Sequence, residues 1–360
     1  MRKFLIISFT SVQKYTGGLQ CTKRNIESIL ELAGKENVIQ YTIKPYHGTE
    51  QLSTKIKRVR DIFYGAMGGL DEHKTKEILD IINKENITDL FLDTSTMGLL
   101  AKRVKKKYPD VRVYTFFHNY EKKFKKEFIL ANKDYSRFYW PILAGLNEKA
   151  AINFSDKIIA LNKRDSADIE MNYGRKPDIL IPITLKGSLI KDNGIASSNK
   201  EALFIGSYFY GNVEGIKWFC NEVLSHCDIH LTIVGASMDK LAAEIPTSDK
   251  ISLLSNVPEL EPYYEKADFV ILPILSGSGM KVKTAESLMH GKYILGTDEA
   301  FRGYEITDKE GKFCNSAKEF IDAIGSLNLK YKFNQASKDL FDKKYSFESS
   351  LKGFAKVLDL

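Results

Sequence analysis

The stretch that most constrains the fold is Asp268 to Glu305, DFVILPILSGSGMKVKTAESLMHGKYILGTDEAFRGYE. It opens on an apolar run, Phe269 to Ile274, short enough to be a buried strand. A glycine-broken loop follows, Ser276-Gly277-Ser278-Gly279. Met280 to His290 is predicted as a helix with Met280, Thr284, Ser287 and Leu288 on one face, closed by Gly291. Tyr293 to Leu295 is a second apolar run. Strand, loop, helix and strand make a parallel crossover, and such sheets bind ligands beyond the carboxyl ends of their strands. The loop sits at such an end. Its backbone N–H groups and the helix start form an anion site, beside which Lys281 and Lys283 add positive charge. Glu286, further along the helix, offers a carboxylate to sugar hydroxyls. Phosphate donors followed by a hydroxyl acceptor describe a nucleotide-sugar site.

These residues resemble the donor-binding motif of family-4 retaining glycosyltransferases, which have the two-domain GT-B fold. In that family two glutamates flank seven residues; the second binds the ribose, and Glu286 matches it. The first falls on Ser278, a departure at the position that contacts the donor sugar. The form GSGMKVKTAESLMHGK, continued by Ala300-Phe301-Arg302-Gly303, is similar to a branch found among bacterial polysaccharide enzymes. The resemblance implies donor contacts from Gly277, Ser278, Gly279 and Met280.

Length and composition agree with a large α/β enzyme. At 360 residues and 43% apolar content the chain can bury two cores. No apolar run approaches the ~20 residues that span a bilayer. MRKFLIISFT reads better as a first strand than as a signal peptide. The four cysteines, Cys21, Cys220, Cys227 and Cys314, show no paired metal or redox spacing, which fits a reducing cytoplasm. The net charge of +7 is unevenly spread: residues 1–200 carry 35 Lys and Arg against 23 Asp and Glu, residues 201–360 carry 18 against 23. That asymmetry predicts different partners for the two halves.

Along the chain, Lys3–Ser8, Val38–Ile43, Asp89–Leu92, Arg112–Phe117, Asp156–Leu161 and Ile179–Ile183 are predicted strands, with mostly helical stretches between them, residues 51–85 among these. The loop Lys14-Tyr15-Thr16-Gly17-Gly18 precedes a helix from about Leu19 to Leu32. Alone, Gly17 and Gly18 are a tight turn; in the family a Gly-Gly loop here faces the donor phosphates and the acceptor. His118-Asn119 follows the Arg112–Phe117 strand, and the family often has a histidine there that contacts the transferred sugar. Tyr120 to Trp140 mixes lysines with Phe124 and Phe128. It is either a solvated helix or, with residues 103–137 as a whole, a patch resting on an anionic membrane surface. Thr184 to Lys200, with Gly187, Ser188 and Gly194, reads as a linker.

The second half restarts with a strand, Ala202–Ile205, then Gly206-Ser207 and a helix Asn212–Ser225. The family places an arginine after this glycine and a lysine near the helix start, both on the pyrophosphate. Here Ser207 and Glu214 stand there, so Lys281 and Lys283 are the candidates for the missing charge. The strand Ile251–Leu254 leads to Asn256-Val257, where the family's backbone holds the base; Pro258–Ala267 is predicted helical. His226 and His230 have a metal-like spacing but lie across a helix-to-strand turn, which favours a structural role. No Asp-x-Asp occurs, and no recognition motif for nucleic acid accompanies the lysines.

The expected architecture is α/β, GT-B, with two Rossmann-like doubly wound domains facing across a cleft. Residues 1–185 form the acceptor-side domain, 186–200 a linker, 201–345 the nucleotide-sugar domain, and 346–360 a helix crossing back to the first domain. The expected reaction is transfer from a nucleotide sugar, with a UDP-sugar favoured, to a saccharide or lipid-linked acceptor. It would proceed with retention, without a metal or other cofactor, in the cytoplasm or on the inner face of the membrane. His118, Lys281 and Glu286 are the expected catalytic set. A GT-B nucleotide-sugar epimerase and a non-catalytic partner subunit are the alternatives.

Overall fold

A computed structural model describes residues 2–9, 17–44, 62, 64–187, 194–277 and 279–360. Lys14-Tyr15-Thr16, the first part of the 51–85 stretch, Ser188 and Ser278 lie outside the described residues. The chain divides into two units, Met1–Pro182 with Ser350–Leu360, and Ile183–Ser349.

The first unit is built on β1 (Phe4–Phe9), α1 (Gly17–Ala33), β2 (Val38–Ile43), α2 (Glu72–Lys84), β3 (Asp89–Leu92), α3 (Gly98–Lys107), β4 (Arg112–Phe117), α4 (Glu121–Asn132), α5 (Trp140–Phe154), β5 (Lys157–Ala160), α6 (Lys163–Tyr173) and β6 (Ile179–Leu180). Its six strands are parallel in the order β2-β1-β3-β4-β5-β6. The central strands are buried on both faces, as their runs FLII, LFL and VYTFF, apolar but for Thr115, require. Helix α6 starts at Asn162, whose side chain accepts from the Asp165 N–H.

The second unit holds β7 (Glu201–Ile205), α7 (Tyr210–Glu222), β8 (His230–Gly235), β9 (Ile251–Ser255), α8 (Glu261–Lys266), β10 (Phe269–Leu272), α9 (Val282–Met289), β11 (Tyr293–Gly296), α10 (Asp298–Phe301), β12 (Gly311–Phe313), α11 (Ala317–Ser326) and α12 (Gln335–Leu340). Its sheet is also parallel, in the order β12-β11-β10-β7-β8-β9. A last helix, α13 (Phe347–Leu358), spans the division of the chain. Within the first unit its Phe354 ring lies 6.1 Å from Phe91, and Gly353 packs on Ile181.

Several elements differ from expectation; helix α7, expected over Asn212–Ser225, runs over Tyr210–Glu222. Helix α1 begins at Gly17, so Gly17 and Gly18 are its first residues and not a preceding turn. Helix α9 begins at Val282 and not Met280, because Gly277 (φ 134°) and Gly279 (φ 66°) turn the chain through conformations closed to a helix and Lys281 is extended. Strand β6 is two residues long: the ladder ends with the Ile181 N–H on Ala160, and Pro182 has no N–H to continue it. Helix α8 is shorter than Pro258–Ala267, starting at Glu261.

Candidate functional site

In the second unit the strand order reverses between β7 and β10. Counted from β7, the sheet runs 3-2-1-4-5-6, and the switch point of such a sheet is where ligands bind. Two loops leave the sheet there, Gly206–Phe209 after β7 and Ser276–Lys281 after β10. They lead into the N-termini of α7 and α9, the ends at which a helix dipole is positive.

The two loops are joined by side chains. Lys283 donates from Nζ to Asn212 Oδ1 at 2.5 Å, and its amine lies 4.7 Å from the centre of the Phe204 ring. The amine also abuts Gly206: a Cβ there would stand 3.0 Å from Nζ and 2.9 Å from the Asn212 amide, so only glycine fits without displacing them. Burial pushes the Lys283 amine down to about 7, with Glu286, one turn along α9, opposing the shift. Ser276 Oγ donates to Glu214 at 2.7 Å, and the Asn212 amide donates to the Ser207 carbonyl at 2.8 Å.

Lys281 is placed differently. It precedes the helix, and its Nζ donates to Glu299 at 2.7 Å and to the Gly279 carbonyl at 3.1 Å. Glu299, on the short α10, also holds Arg302 at 2.6 Å. The Tyr304 hydroxyl donates to the Lys281 carbonyl at 2.7 Å, and the Thr284 hydroxyl to the Ala300 carbonyl at 2.8 Å. The 298–304 segment thus fixes where α9 begins. Thr284, Ser287 and Leu288 are buried on the inner face, and Glu286 is half-buried.

Residues 199–328 match the model of the family described as "Glycosyl transferases group 1". The second unit carries a glycosyltransferase domain. Among curated proteins, a 44.6 kDa protein of the cps region of Klebsiella pneumoniae, described as uncharacterized, is 26% identical over 181 residues. That match covers 46% of this chain and 45% of the relative, less than half its length. Among solved structures, the lipopolysaccharide outer core galactosyltransferase WaaB superposes with a TM-score of 0.69 at 10% identity, over 99% of both chains. A Rickettsia africae glycosyltransferase gives 0.65 at 15% identity, again over 99% of both chains. Anabaena HepE, solved with UDP and glucose, gives 0.66 at 10% identity, over 99% of this chain and all of that one. The fold is GT-B: two parallel doubly wound sheets with flanking helices.

In the glycosyltransferase domain the predicted residues Gly206, Ser207, Gly277, Gly279, Met280, Lys281, Lys283 and Glu286 all belong to these two loops and α9. Asn256 and Val257 lie beyond β9, at the carboxyl edge of the same sheet. Asn256 has φ 55°, and its side-chain oxygen accepts from the Ser237 N–H at 3.1 Å, linking the β8 and β9 ends. His226 closes a 3-10 turn, while His230 opens β8 and bonds Ser252 Oγ at 2.8 Å. Asn212 and Glu299, which organise the two lysines, escaped the sequence reading. Glu299 lies 18 residues from Lys281 and Asn212 lies 71 from Lys283, and neither spacing forms a local pattern.

The first unit has its own reversal, between β1 and β3. Helix α1, with Gly17 and Gly18 first, follows β1, and Asp93 follows β3. Asp93 is buried and accepts from Thr22 Oγ1 at 2.5 Å and from Asn25 Nδ2 at 2.7 Å, both on α1. His118, after β4, sets Nε2 at 2.6 Å from the Asp93 carbonyl and 3.4 Å from its carboxylate. His118 thus belongs to a buried polar group whose other members the sequence did not reveal. The neighbouring Glu148 is fully buried and accepts from the Glu121 N–H at 2.6 Å, the Lys122 N–H at 3.3 Å and the Tyr173 hydroxyl at 2.8 Å. Burial pushes its carboxyl up to about 8. It fastens the first turn of α4, directly after His118-Asn119.

Proposed function

We propose that this chain transfers a hexosyl group from a nucleotide sugar, a UDP-sugar in first place, to a saccharide or lipid-linked saccharide in cell-surface polysaccharide synthesis. The reading is of retention without a metal cofactor. It is carried by one observation: the Lys283 amine, set against Gly206 and Asn212, where two helix N-termini meet at the switch point of a glycosyltransferase domain. Charge and N–H groups there suit a diphosphate, whose negative charge grows as the bond to the sugar breaks. Glu286 is assigned to the ribose hydroxyls, Asn256-Val257 to the base, and His118 with Gly17-Gly18 to the sugar and acceptor end. The solved relative with bound UDP and the cps-region relative support the donor and pathway class.

Thermal-shift screening with UDP, GDP, ADP and CDP, followed by hydrolysis and transfer assays with the matching nucleotide sugars, tests it. At 100-fold excess over Kd a ligand stabilises by about 2.7 kcal/mol, which raises the melting temperature by several degrees. UDP is expected to give the largest shift and UDP-sugars to be turned over. No shift with any nucleotide and no sugar release would refute the reading.

We also propose that the first unit works on an anionic membrane surface. Among the described residues no helix is long and apolar enough to cross a membrane. Phe124 and Phe128 are half-buried, Phe128 stacking on Trp140 at 6.4 Å, so they are not the anchors. Exposed apolar side chains occur instead on the same two packed helices and the turn joining them: Leu130, Tyr135, Phe138 (71% exposed), Ile142 and Leu146. Lys122, Lys123, Lys126 and Lys133 are exposed on α4 and its end. Each lysine near an anionic leaflet contributes ~1 kcal/mol. In co-sedimentation, anionic vesicles should retain the protein and neutral ones should not, with binding falling as salt rises. Replacing Phe138 and Ile142 together by serine should weaken it further. Equal, negligible binding to both vesicle types would remove the membrane from the proposal.

A further inference from the structure

In the first unit two consecutive residues of α5 hold the starts of two other helices. Helices α3 and α4 follow β3 and β4, the strands whose carboxyl ends carry Asp93 and His118. The residues that open them, Met97 and Tyr120, lend no side chain to the first-turn N–H groups. Elsewhere in the unit that need is met locally, by Asp71 for α2 and Asn162 for α6. For α3 and α4 the acceptors come from α5. Asn147 Oδ1 accepts from the Leu99 N–H of α3 at 3.2 Å. Glu148 Oε1 accepts from the Glu121 N–H of α4 at 2.6 Å, and Oε2 from the Lys122 N–H at 3.3 Å.

Both side chains are buried and fixed at their other atoms. The Asn147 amide donates to the Gly65 and Leu143 carbonyls at 2.9 and 3.0 Å. The backbone of α5 runs so close to α3 that a Cβ on Gly98 would stand 1.9 Å from the Asn147 carbonyl oxygen. Glu148 Oε2 also accepts from the Tyr173 hydroxyl at 2.8 Å, and the Tyr173 ring meets Tyr120 edge-on at 5.9 Å. A backbone N–H only donates, so Oε1 can serve Glu121 whether Glu148 is an acid or a carboxylate. The hydrogen of the acid form would face Tyr173.

The two capped loops meet at His118. Its Nε2 lies 2.6 Å from the Asp93 carbonyl, which only accepts, so that nitrogen carries a hydrogen. The bond ties the loop after β4 to the loop after β3. Lengthened by about 1 Å it would cease to be a hydrogen bond. The separation of the two loops therefore decides whether the ring is held, and α5 fixes the helix that each loop enters.

We infer that Asn147 and Glu148 are positioning residues: together, from α5, they set the loops after β3 and β4 so that the His118 ring is held on the Asp93 carbonyl. The consequence for turnover rests on the role of His118 proposed above; the loop geometry rests on this unit alone.

Proton NMR of the full-length protein without substrate reads the geometry. In the parent the Leu99 and Glu121 amides and the His118 Nε2 proton should exchange slowly. In Asn147→Ala and in Glu148→Ala the ring proton should exchange about tenfold faster or more, the scale of a lost helix cap. Glu148→Gln keeps an oxygen for Glu121, so it should retain the ring proton and lose only the protection of the Lys122 amide. In the transfer reaction Glu148→Ala should lower kcat by about tenfold or more with UDP affinity unchanged. The same change should cost less than about twofold in a His118→Ala background, because a residue that acts through His118 then has nothing to position. A ring proton that exchanges at the parental rate in the folded alanine variants overturns the inference, as do additive losses in that cycle. If the alanine variants do not fold, the parent and Glu148→Gln decide. Fast exchange of the Leu99 or Glu121 amide in the parent, or of the Glu121 amide in Glu148→Gln, overturns the caps. The exchange readings use no substrate, so their failure is distinct from an absence of sugar transfer.

Discussion

Lys283→Ala is expected to lower kcat by about 10²-fold or more, the usual effect of removing one preorganised group that stabilises developing charge. The amine is held by Asn212 and Phe204 against Gly206, so it is fixed before any ligand arrives. A group that meets the diphosphate more strongly as the sugar departs acts on kcat and not only on KM. Lys281→Ala supplies the contrast. Its ammonium is engaged by Glu299 and the Gly279 carbonyl, and Glu299 keeps Arg302 when Lys281 is lost. That variant should keep kcat within about tenfold of the parent, since its ammonium is already neutralised by the Glu299 carboxylate. The reverse order of the two effects in single-turnover measurements would move the leaving-group role to Lys281. Full turnover in both would show that helix N-termini alone carry the charge.

Glu286→Ala should weaken nucleotide binding by about 10- to 150-fold, the equivalent of ~1.5–3 kcal/mol for a hydrogen bond to a charged acceptor. Glu286 sits half-buried one turn beyond Lys283, so ribose and diphosphate contacts would come from one short helix. Calorimetry with UDP and with the 2′-deoxy analogue separates the role from a fold effect. The parent should lose affinity on removal of the ribose hydroxyl, and the variant should not distinguish the two ligands. Unchanged UDP affinity in a folded variant would remove Glu286 from the site.

The parallel crossovers were legible because their strands are apolar on both faces and their loops carry glycine at the carboxyl ends; β2, β3 and β4 match expectation residue for residue. The start of α9 was not legible. It depends on positive φ at Gly277 and Gly279 and on a 298–304 segment that meets Lys281 only after folding. Two lysines spaced two apart look equivalent in the sequence. One is neutralised by a carboxylate from the next helix, and the other is desolvated against Phe204. Likewise His118 was visible as a residue after a strand, but Asp93 on one side and Thr22 and Asn25 on another element, which share its buried polar group, lie far from it in the chain. The aromatic run of α4 misled for the same reason: Phe124 and Phe128 recur with helical period, but α5 covers them, and the exposed apolar side chains lie on the next turn and helix.

If the nucleotide binds as proposed, the desolvated amine of Lys283 would give that binding a hydrogen-ion stoichiometry. With its titration near 7 in the empty protein, a substantial fraction of molecules carry an uncharged amine at and above neutrality. A diphosphate beside it favours the ammonium, so complex formation draws protons from solution. Affinity should therefore decline as the medium becomes alkaline, although the ligand's own charge does not fall. The heat of binding should then vary with the ionisation enthalpy of the buffer, by up to one proton's worth per site.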